Sequence, residues 1–169
     1  MFTTKTASLL LISLIFYSCN HTSSISSKKI KKAIEIDNHL LVEKIIKNNV
    51  IDSLRYNEGL DPLQYAIYRK AYKSAKVLVP KSDLSYVNPD GYNALLMAIE
   101  NNNSELTELI LEAKSDPNFR DPISGYYALH YAVSMGNTKI VKLLVKYGAE
   151  TDSINLGCLL YTSPSPRDA

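Results

Sequence analysis

The amino-acid sequence predicts an all-α solenoid in which helix-turn-helix units stack on one another, with short β-hairpin-like finger turns between the units. The first observation is a repeat: similar segments begin at Ala33, Ala66, Ala98 and Ala132, which lie 33, 32 and 34 residues apart. Periods of this length are typical of supersecondary units that stack in one direction. The second observation is composition, since 46% of the residues are apolar and 21% are charged. That balance is typical of a folded globular chain.

Each repeat contains the pattern of two short helices. In the fourth repeat, a first helix around Ala132 ends near Gly136, and an apolar stripe from Ile140 to Val145 predicts a second helix. Gly148 follows this helix, and glycine adopts the left-handed conformation that ends a helix without a steric penalty. The small Ala that begins each repeat allows neighbouring first helices to approach closely. No single unit can bury both of its faces, so each unit needs a neighbour.

These repeats resemble the ankyrin family, in which a turn with Asp and Gly precedes a Thr-Pro-Leu-His helix start, and Gly residues follow both helices. The fourth repeat matches at Asp121, Gly125, Leu129, His130, Ala132, Gly136, Gly148 and Ala149. The third matches at Asp90, Gly91, Leu95, Ala98 and the turn Asp116-Pro117-Asn118, and the second at Gly59, Pro62, Leu63 and Ala66. The resemblance covers residues 28–157, as units near 28–54, 55–86, 87–118 and 119–153 and the start of a fifth.

Several positions depart from the family pattern. The Thr that caps the first helix is replaced by Asp61, Asn93 and Tyr127. Asp and Asn can cap a helix through a side-chain oxygen, whereas Tyr is not expected to do so. The family's His is retained only as His130, and the matching positions hold Gln64 and Leu96. We therefore expect a divergent repeat array of moderate stability.

The N-terminal residues predict export. Residues 1–18 combine Lys5 with an apolar stretch of secretory length, and Ser18 precedes Cys19. This arrangement resembles a bacterial lipoprotein signal, in which the Cys is lipidated, although Phe16 stands where that family usually has Leu, Val or Ile. The resemblance implies a signal peptide at 1–18, lipidation of Cys19, a tether at 19–27, and a membrane-anchored protein of the cell envelope that faces the periplasm or the exterior. A simple secretory signal with release of the protein, or an uncleaved membrane anchor, is the alternative.

The C-terminal residues differ in character from the repeats. Residues 158–168 resemble a translated sequencing adapter, so we interpret 158–169 as a tail that is not native and expect the natural protein to continue beyond Gly157. A genuine Pro/Ser-rich tail is the alternative.

The sequence carries no pattern that indicates catalysis. It contains no Gly-rich phosphate loop, Cys-x-x-Cys pair or His-Glu-x-x-His helix. The repeat scheme keeps His21, His39 and His130 far apart, so neither a catalytic triad nor a metal site is predicted. We therefore predict a protein that is not an enzyme and has no cofactor or small-molecule substrate. A formal net charge of only +2 gives no reason to predict nucleic acid as a partner.

The family resemblance implies a partner protein bound to a concave surface made of the finger turns and first helices. Tyr and Arg are enriched at binding hot spots because they combine large contact area with a polar group. The predicted partner-binding residues are Tyr65, Tyr68, Arg69, Tyr92, Met97, Tyr126, Tyr127, Tyr131 and Met135. The alternative to partner binding is that individual tyrosines pack between repeats and have only a structural role.

The leading hypothesis is an exported, lipid-anchored module that binds an envelope or secreted protein. Two alternatives remain: the array is the recognition arm of an enzyme whose catalytic domain lies beyond this chain, or it is a structural spacer. The cluster Lys28, Lys29, Lys31 and Lys32 is interpreted as the polar face of the first helix. Contact of these lysines with anionic lipid headgroups is the functional alternative.

Overall fold

The computed structural model describes residues 27–47, 51 and 54–151, and these residues form four pairs of short helices. The first described helix, α1, includes residues 27–35. The other helices are α2 (His39–Ile46), α3 (Pro62–Tyr68), α4 (Tyr72–Leu78), α5 (Ala94–Glu100), α6 (Ser104–Glu112), α7 (Ala128–Ser134) and α8 (Thr138–Lys146). The predicted all-α fold class is confirmed. The predicted signal peptide, Cys19, most of the tether and the 158–169 tail lie outside the described residues.

The helices lie in two layers. The first helices α3, α5 and α7 contact one another in sequence, and the second helices α2, α4, α6 and α8 do the same. Within each later unit the two helices also pack together, as α3 with α4, α5 with α6 and α7 with α8. The chain is therefore a stack in which each unit buries its apolar faces against its neighbours.

The core follows the repeat. The four Ala residues at the heads of the repeats, Ala33, Ala66, Ala98 and Ala132, are all fully buried, which allows close approach of the first helices. The next position holds Ile34, Ile67 and Ile99, each 0% exposed, and then Val133, which is 40% exposed. Val133 differs because no further described unit packs against that side of the fourth repeat. Burial at this position therefore depends on the following repeat.

The turn between the two helices has the same backbone conformation in every repeat. Its φ is 48° at Asp37, 57° at Lys70, 56° at Asn102 and 66° at Gly136. These residues lie four positions after the Ala that begins each repeat. The left-handed conformation is unfavourable for residues with a Cβ, so a shared helix-turn-helix geometry is kept at some cost in three of the four units.

Asn residues cap three of the second helices. In the fourth, α4, a contact from the preceding repeat compensates for the missing cap. The Asn38, Asn103 and Asn137 side chains accept backbone N–H groups at the starts of α2, α6 and α8. Ala71 precedes α4 and makes no such bond. Instead, Asp37 Oδ1 accepts from the backbone N and the hydroxyl of Ser74, at 2.9 and 2.8 Å. One repeat therefore caps a helix of the next.

The finger turns are hairpin-like, as predicted, and they pack against one another. The backbone N–H of Tyr56 donates to the Leu60 carbonyl at 2.7 Å, and isolated antiparallel bridges join Tyr56 to Leu60 and Arg120 to Tyr127. Gly91 has a φ of 87°, and a Cβ added there would lie 2.5 Å from Asp121 Oδ1. Glycine is thus required at this position both by its backbone conformation and by the close approach of the next finger turn.

The caps of the first helices follow the sequence prediction. Asp61 Oδ1 accepts from the Gln64 N–H at 2.6 Å, and Asn93 Oδ1 accepts from the Leu96 N–H at 2.9 Å. Tyr127 makes no such side-chain bond; instead its own N–H donates to His130 Nδ1 at 3.2 Å. The prediction that Asp and Asn would cap while Tyr would not is confirmed.

Gln64 also connects two repeats. Its side chain is fully buried, and Nε2 donates to the carbonyl oxygens of Tyr86 at 3.2 Å and Tyr92 at 3.0 Å. Gln64 Oε1 accepts the Asp61 N–H at 3.4 Å. One side chain therefore holds the start of α3 and the loop that leads to α5. Leu96 occupies the matching position of the third repeat, and its apolar side chain cannot form such a link.

Candidate functional site

The finger turns and the adjoining first helices form one continuous surface. We call it the finger surface and define it by the second, third and fourth finger turns, named after their repeats (residues 56–60, 88–92 and 120–127), together with the exposed residues of α3, α5 and α7. The predicted partner-binding residues belong to these turns and helices, so this is the surface on which they are expected to lie. Its two main features are an aromatic cluster and a groove.

Four of the predicted tyrosines lie in one aromatic cluster with His130. The Tyr131 ring meets Tyr92 and Tyr126 edge to face, with centroids 6.3 Å apart in both pairs. The His130 ring stacks on Tyr126 and on Tyr127, with 5.7 Å between centroids in each case. The guanidinium of Arg120 lies over the Tyr127 ring at 5.7 Å. The cluster thus joins the third and fourth repeats.

Asp121 is the buried polar centre of this cluster. Its Oδ2 accepts from the Tyr131 hydroxyl at 2.6 Å and from the Ser124 hydroxyl at 2.5 Å, and its Oδ1 accepts the Ile123 N–H at 2.8 Å. Burial by itself raises the pKa of this carboxyl, but the hydrogen bonds outweigh burial and lower it to about 2. Asp121 is therefore ionised at neutral pH and fixes the longer finger turn from 121 to 125.

The pKa values of two tyrosines in the cluster are raised by burial and by neighbouring carboxylates. Burial, followed by the hydrogen bond to Asp121, raises the pKa of Tyr131. Burial, followed by a hydrogen bond to Glu100 and the charge of that residue, raises the pKa of Tyr92. Both phenols are therefore protonated at neutral pH, and the Tyr131 hydroxyl donates to Asp121.

A groove of about 220 Å³ lies between the second and third finger turns. We call it the tyrosine groove, and its lining is Asn57, Leu60, Tyr68, Asn88, Asp90, Tyr92, Met97 and Glu100. Asn88 Oδ1 accepts the N–H groups of Asp90 and Tyr92, both at 3.0 Å, and so fixes the third finger turn. Three of the predicted residues, Tyr68, Tyr92 and Met97, meet here.

The expectation that Tyr65 is an exposed contact residue is wrong, because its side chain is only 1% exposed. Its ring packs on Tyr56 with 5.2 Å between centroids, and Lys31 covers it at 5.4 Å from the centroid. The Tyr65 hydroxyl donates to Glu35 Oε1 at 2.8 Å. The large ring reaches back to the first repeat, so it packs between repeats as the alternative interpretation proposed.

The other predicted residues are distributed around the two features. Tyr68 is 61% exposed and Tyr126 is 55% exposed, while Met97, Tyr127 and Tyr131 are half-buried. Arg69 and Met135 are exposed at the C-terminal ends of α3 and α7 and make no aromatic contact with the described cluster. The predicted set did not include Leu60 or Asp121. The turn from 121 to 125 is one residue longer than the turn from 88 to 91, and this difference in length was visible in the sequence.

Two other findings concern the described part of the chain. Residues 27–47, 51 and 54–151 contain no group of three or more His, Cys, Asp or Glu side chains placed to hold a metal ion. Within the same residues, no helix is both long enough and apolar enough to span a lipid bilayer.

Comparison with known proteins supports the interpretation of the repeats. A family described as "Ankyrin repeats (3 copies)" matches residues 30–121 and 81–155. The ankyrin repeat protein L371 of Acanthamoeba polyphaga mimivirus is 34% identical over 67% of this chain and 15% of its own length. Ankyrin repeat protein FPV034 of Fowlpox virus is 27% identical over 78% of this chain and 31% of its own length. Ankyrin repeat and SOCS box protein 6 of Mus musculus is 29% identical over 65% of this chain and 26% of its own length.

This chain therefore covers less than a third of the length of each of these relatives. The family match extends over most of the chain and includes all four helix pairs. On this evidence, the chain belongs to the ankyrin-repeat family.

Proposed function

We propose that this chain is a protein-binding module, without a catalytic role, that holds its partner on the finger surface. The observation that carries the proposal is the exposure of two large tyrosines, Tyr68 in the tyrosine groove and Tyr126 in the aromatic cluster. Exposed aromatic rings on a fixed surface offer large contact areas at a low cost in side-chain entropy, which is typical of binding hot spots. Ile123, also exposed on the fourth finger turn, adds an apolar contact.

Site-specific photo-crosslinking tests which surface meets the partner. A photoreactive phenylalanine at Tyr68 or Tyr126 is expected to give the same discrete adduct in the cells that express the protein. The matched control is Lys142, which is exposed on α8 in the layer of second helices. Equal adducts from Lys142, or none from Tyr68 and Tyr126, would contradict the proposal. Against the partner so identified, Tyr68→Ala and Tyr126→Ala should each weaken binding by about tenfold. Tyr68→Ala should change stability little because this side chain is exposed.

We also propose that the protein is exported and anchored by a lipid on Cys19, so that its partner is an envelope or secreted protein. The support is the sequence of residues 1–19, in which a charged start and an apolar stretch lead to Ser18 and Cys19. Cells fed labelled palmitate are expected to label the full-length protein, and Cys19→Ser should abolish the label. Cys158→Ser is the matched control, because Cys158 is the other cysteine of the chain. Label retained in Cys19→Ser would overturn the anchoring proposal.

A further inference from the structure

The tyrosine groove combines an apolar interior with carboxylates at its edge. Leu60 and Met97 contribute aliphatic and thioether surface, and the Tyr68 and Tyr92 rings form its aromatic walls. Asp90 and Glu100 are exposed acidic residues of the same lining. A groove of this kind fits a side chain that has an apolar stem and a cationic end.

The two carboxylates of the groove differ from the acidic residues of the second helices. Three salt bridges of the described residues lie along the layer of second helices, in the pairs Glu43 with Lys47, Lys76 with Glu105, and Glu108 with Lys146. Neither Asp90 nor Glu100 forms a salt bridge within the described residues. Glu100 instead lines the groove together with Tyr92, a neutral residue that cannot compensate a carboxylate charge.

The tyrosine rings of the groove also differ from other tyrosine rings of the protein in their contacts with cations. In the described part of the chain, a Lys or Arg of the protein itself lies over four tyrosine rings, namely Tyr65, Tyr86, Tyr127 and Tyr147. At Tyr68 and Tyr92, which line the groove, the described residues provide no such contact. Among the described residues, the aromatic walls and the carboxylates of the groove therefore have no Lys or Arg partner. Lys31 reaches the lining at Asn57, where its Nζ donates to Oδ1 at 3.2 Å.

We infer that the tyrosine groove receives an arginine side chain of the partner protein. Guanidinium stacks on aromatic faces, forms bidentate hydrogen bonds with carboxylates and is more weakly hydrated than the lysine ammonium group. Here the ring of Tyr68 offers the stacking surface, and Glu100 and Asp90 offer the acceptors. This inference rests on the proposed function, because it names the chemistry that the finger surface recognises.

Selection from a random peptide library displayed on phage tests the inference. Peptides are selected on the wild-type protein, and their affinities are then measured for wild type, Glu100→Gln, Asp90→Asn/Glu100→Gln, Tyr68→Ala and Tyr126→Ala. Both carboxylate substitutions preserve shape, and the Tyr92 hydroxyl can still donate to a Gln oxygen. Glu112→Gln removes the same charge from the exposed end of α6 and is the matched control.

The selected peptides are expected to share an arginine, and replacing it with neutral citrulline should weaken binding by about tenfold or more. Glu100→Gln should weaken binding similarly, and Glu112→Gln should not. Arginine peptides that bind wild type and Glu100→Gln equally would overturn the inference. Peptides that need Tyr68 but no arginine would overturn the inference and leave the proposed function standing. If no selected peptide depends on Tyr68 or Tyr126, the inference and the proposed function are both wrong.

Discussion

Gln64→Leu is expected to lower the free energy of unfolding by about 2–4 kcal/mol, because it removes the three hydrogen bonds of a buried side chain and leaves their partners without replacements. The carbonyls of Tyr86 and Tyr92 would lose the Nε2 donor, and the Asp61 N–H would lose its acceptor. Leucine has a similar size, so the loss would come from unpaired polar groups and not from a cavity. The second and third repeats should separate more easily as a result.

Chemical unfolding followed by circular dichroism measures this effect. Gln64→His is the matched variant, because His130 occupies the same position in the fourth repeat and its Nδ1 accepts the corresponding backbone N–H. The other ring nitrogen of a histidine at position 64 can donate to one of the two carbonyls, so Gln64→His should retain more of the stability than Gln64→Leu. Equal stability of wild type and Gln64→Leu would show that the inter-repeat link contributes little.

Asp121→Asn is expected to cost about 2–3 kcal/mol at neutral pH, with a loss that depends on pH. The pKa of Asp121 falls from 3.8 to about 2 in the folded state, and each unit of difference corresponds to about 1.36 kcal/mol. Because the folded-state pKa is the lower one, this stabilisation is fully present above about pH 4. It is lost as the pH falls through the folded-state value near 2. The Ser124 and Tyr131 hydroxyls would also lose their charged acceptor.

Urea unfolding of both proteins between pH 6 and pH 2 checks this result. The difference in free energy of unfolding should narrow by about 2 kcal/mol as the pH approaches 2. Asp90→Asn, on the preceding finger turn, is the control; its exposed side chain should change stability by no more than about 0.5 kcal/mol. A difference between wild type and Asp121→Asn that stays constant across this range would show that the Asp121 charge does not stabilise the fold.

Much of the fold could be predicted because the repeat imposes the same requirements at equivalent positions. The Ala residues at the repeat heads and the apolar stripes of the second helices indicated which surfaces are buried, and side-chain chemistry indicated that Asp61 and Asn93 would cap helices. The contact from Asp37 to Ser74 was not predictable, because it crosses between repeats and compensates for a cap that Ala71 lacks. A pattern within one unit carries no information about such a contact.

The location of the candidate site as a whole was predicted more accurately than the exposure of its individual residues. Alignment of the repeats placed Tyr68, Tyr92 and Tyr126 on one surface, and the structure places them there. The same alignment put Tyr65 on that surface, although its matching positions hold Met97 and Tyr131, both half-buried. Whether a large ring points outward or packs against the preceding repeat depends on the neighbouring side chains, which the register of a repeat does not specify.

The polar links between repeats have a consequence for the kinetics of recognition. Directional hydrogen bonds from Asp37 to the second repeat, from Gln64 to the third and between Asn102 and Asn137 resist sliding of one unit over the next. A partner would then meet a preorganised surface, and little conformational entropy would be lost on association. Differences in affinity among variants of this surface should therefore be expressed mainly in the lifetime of the complex, with similar rates of encounter.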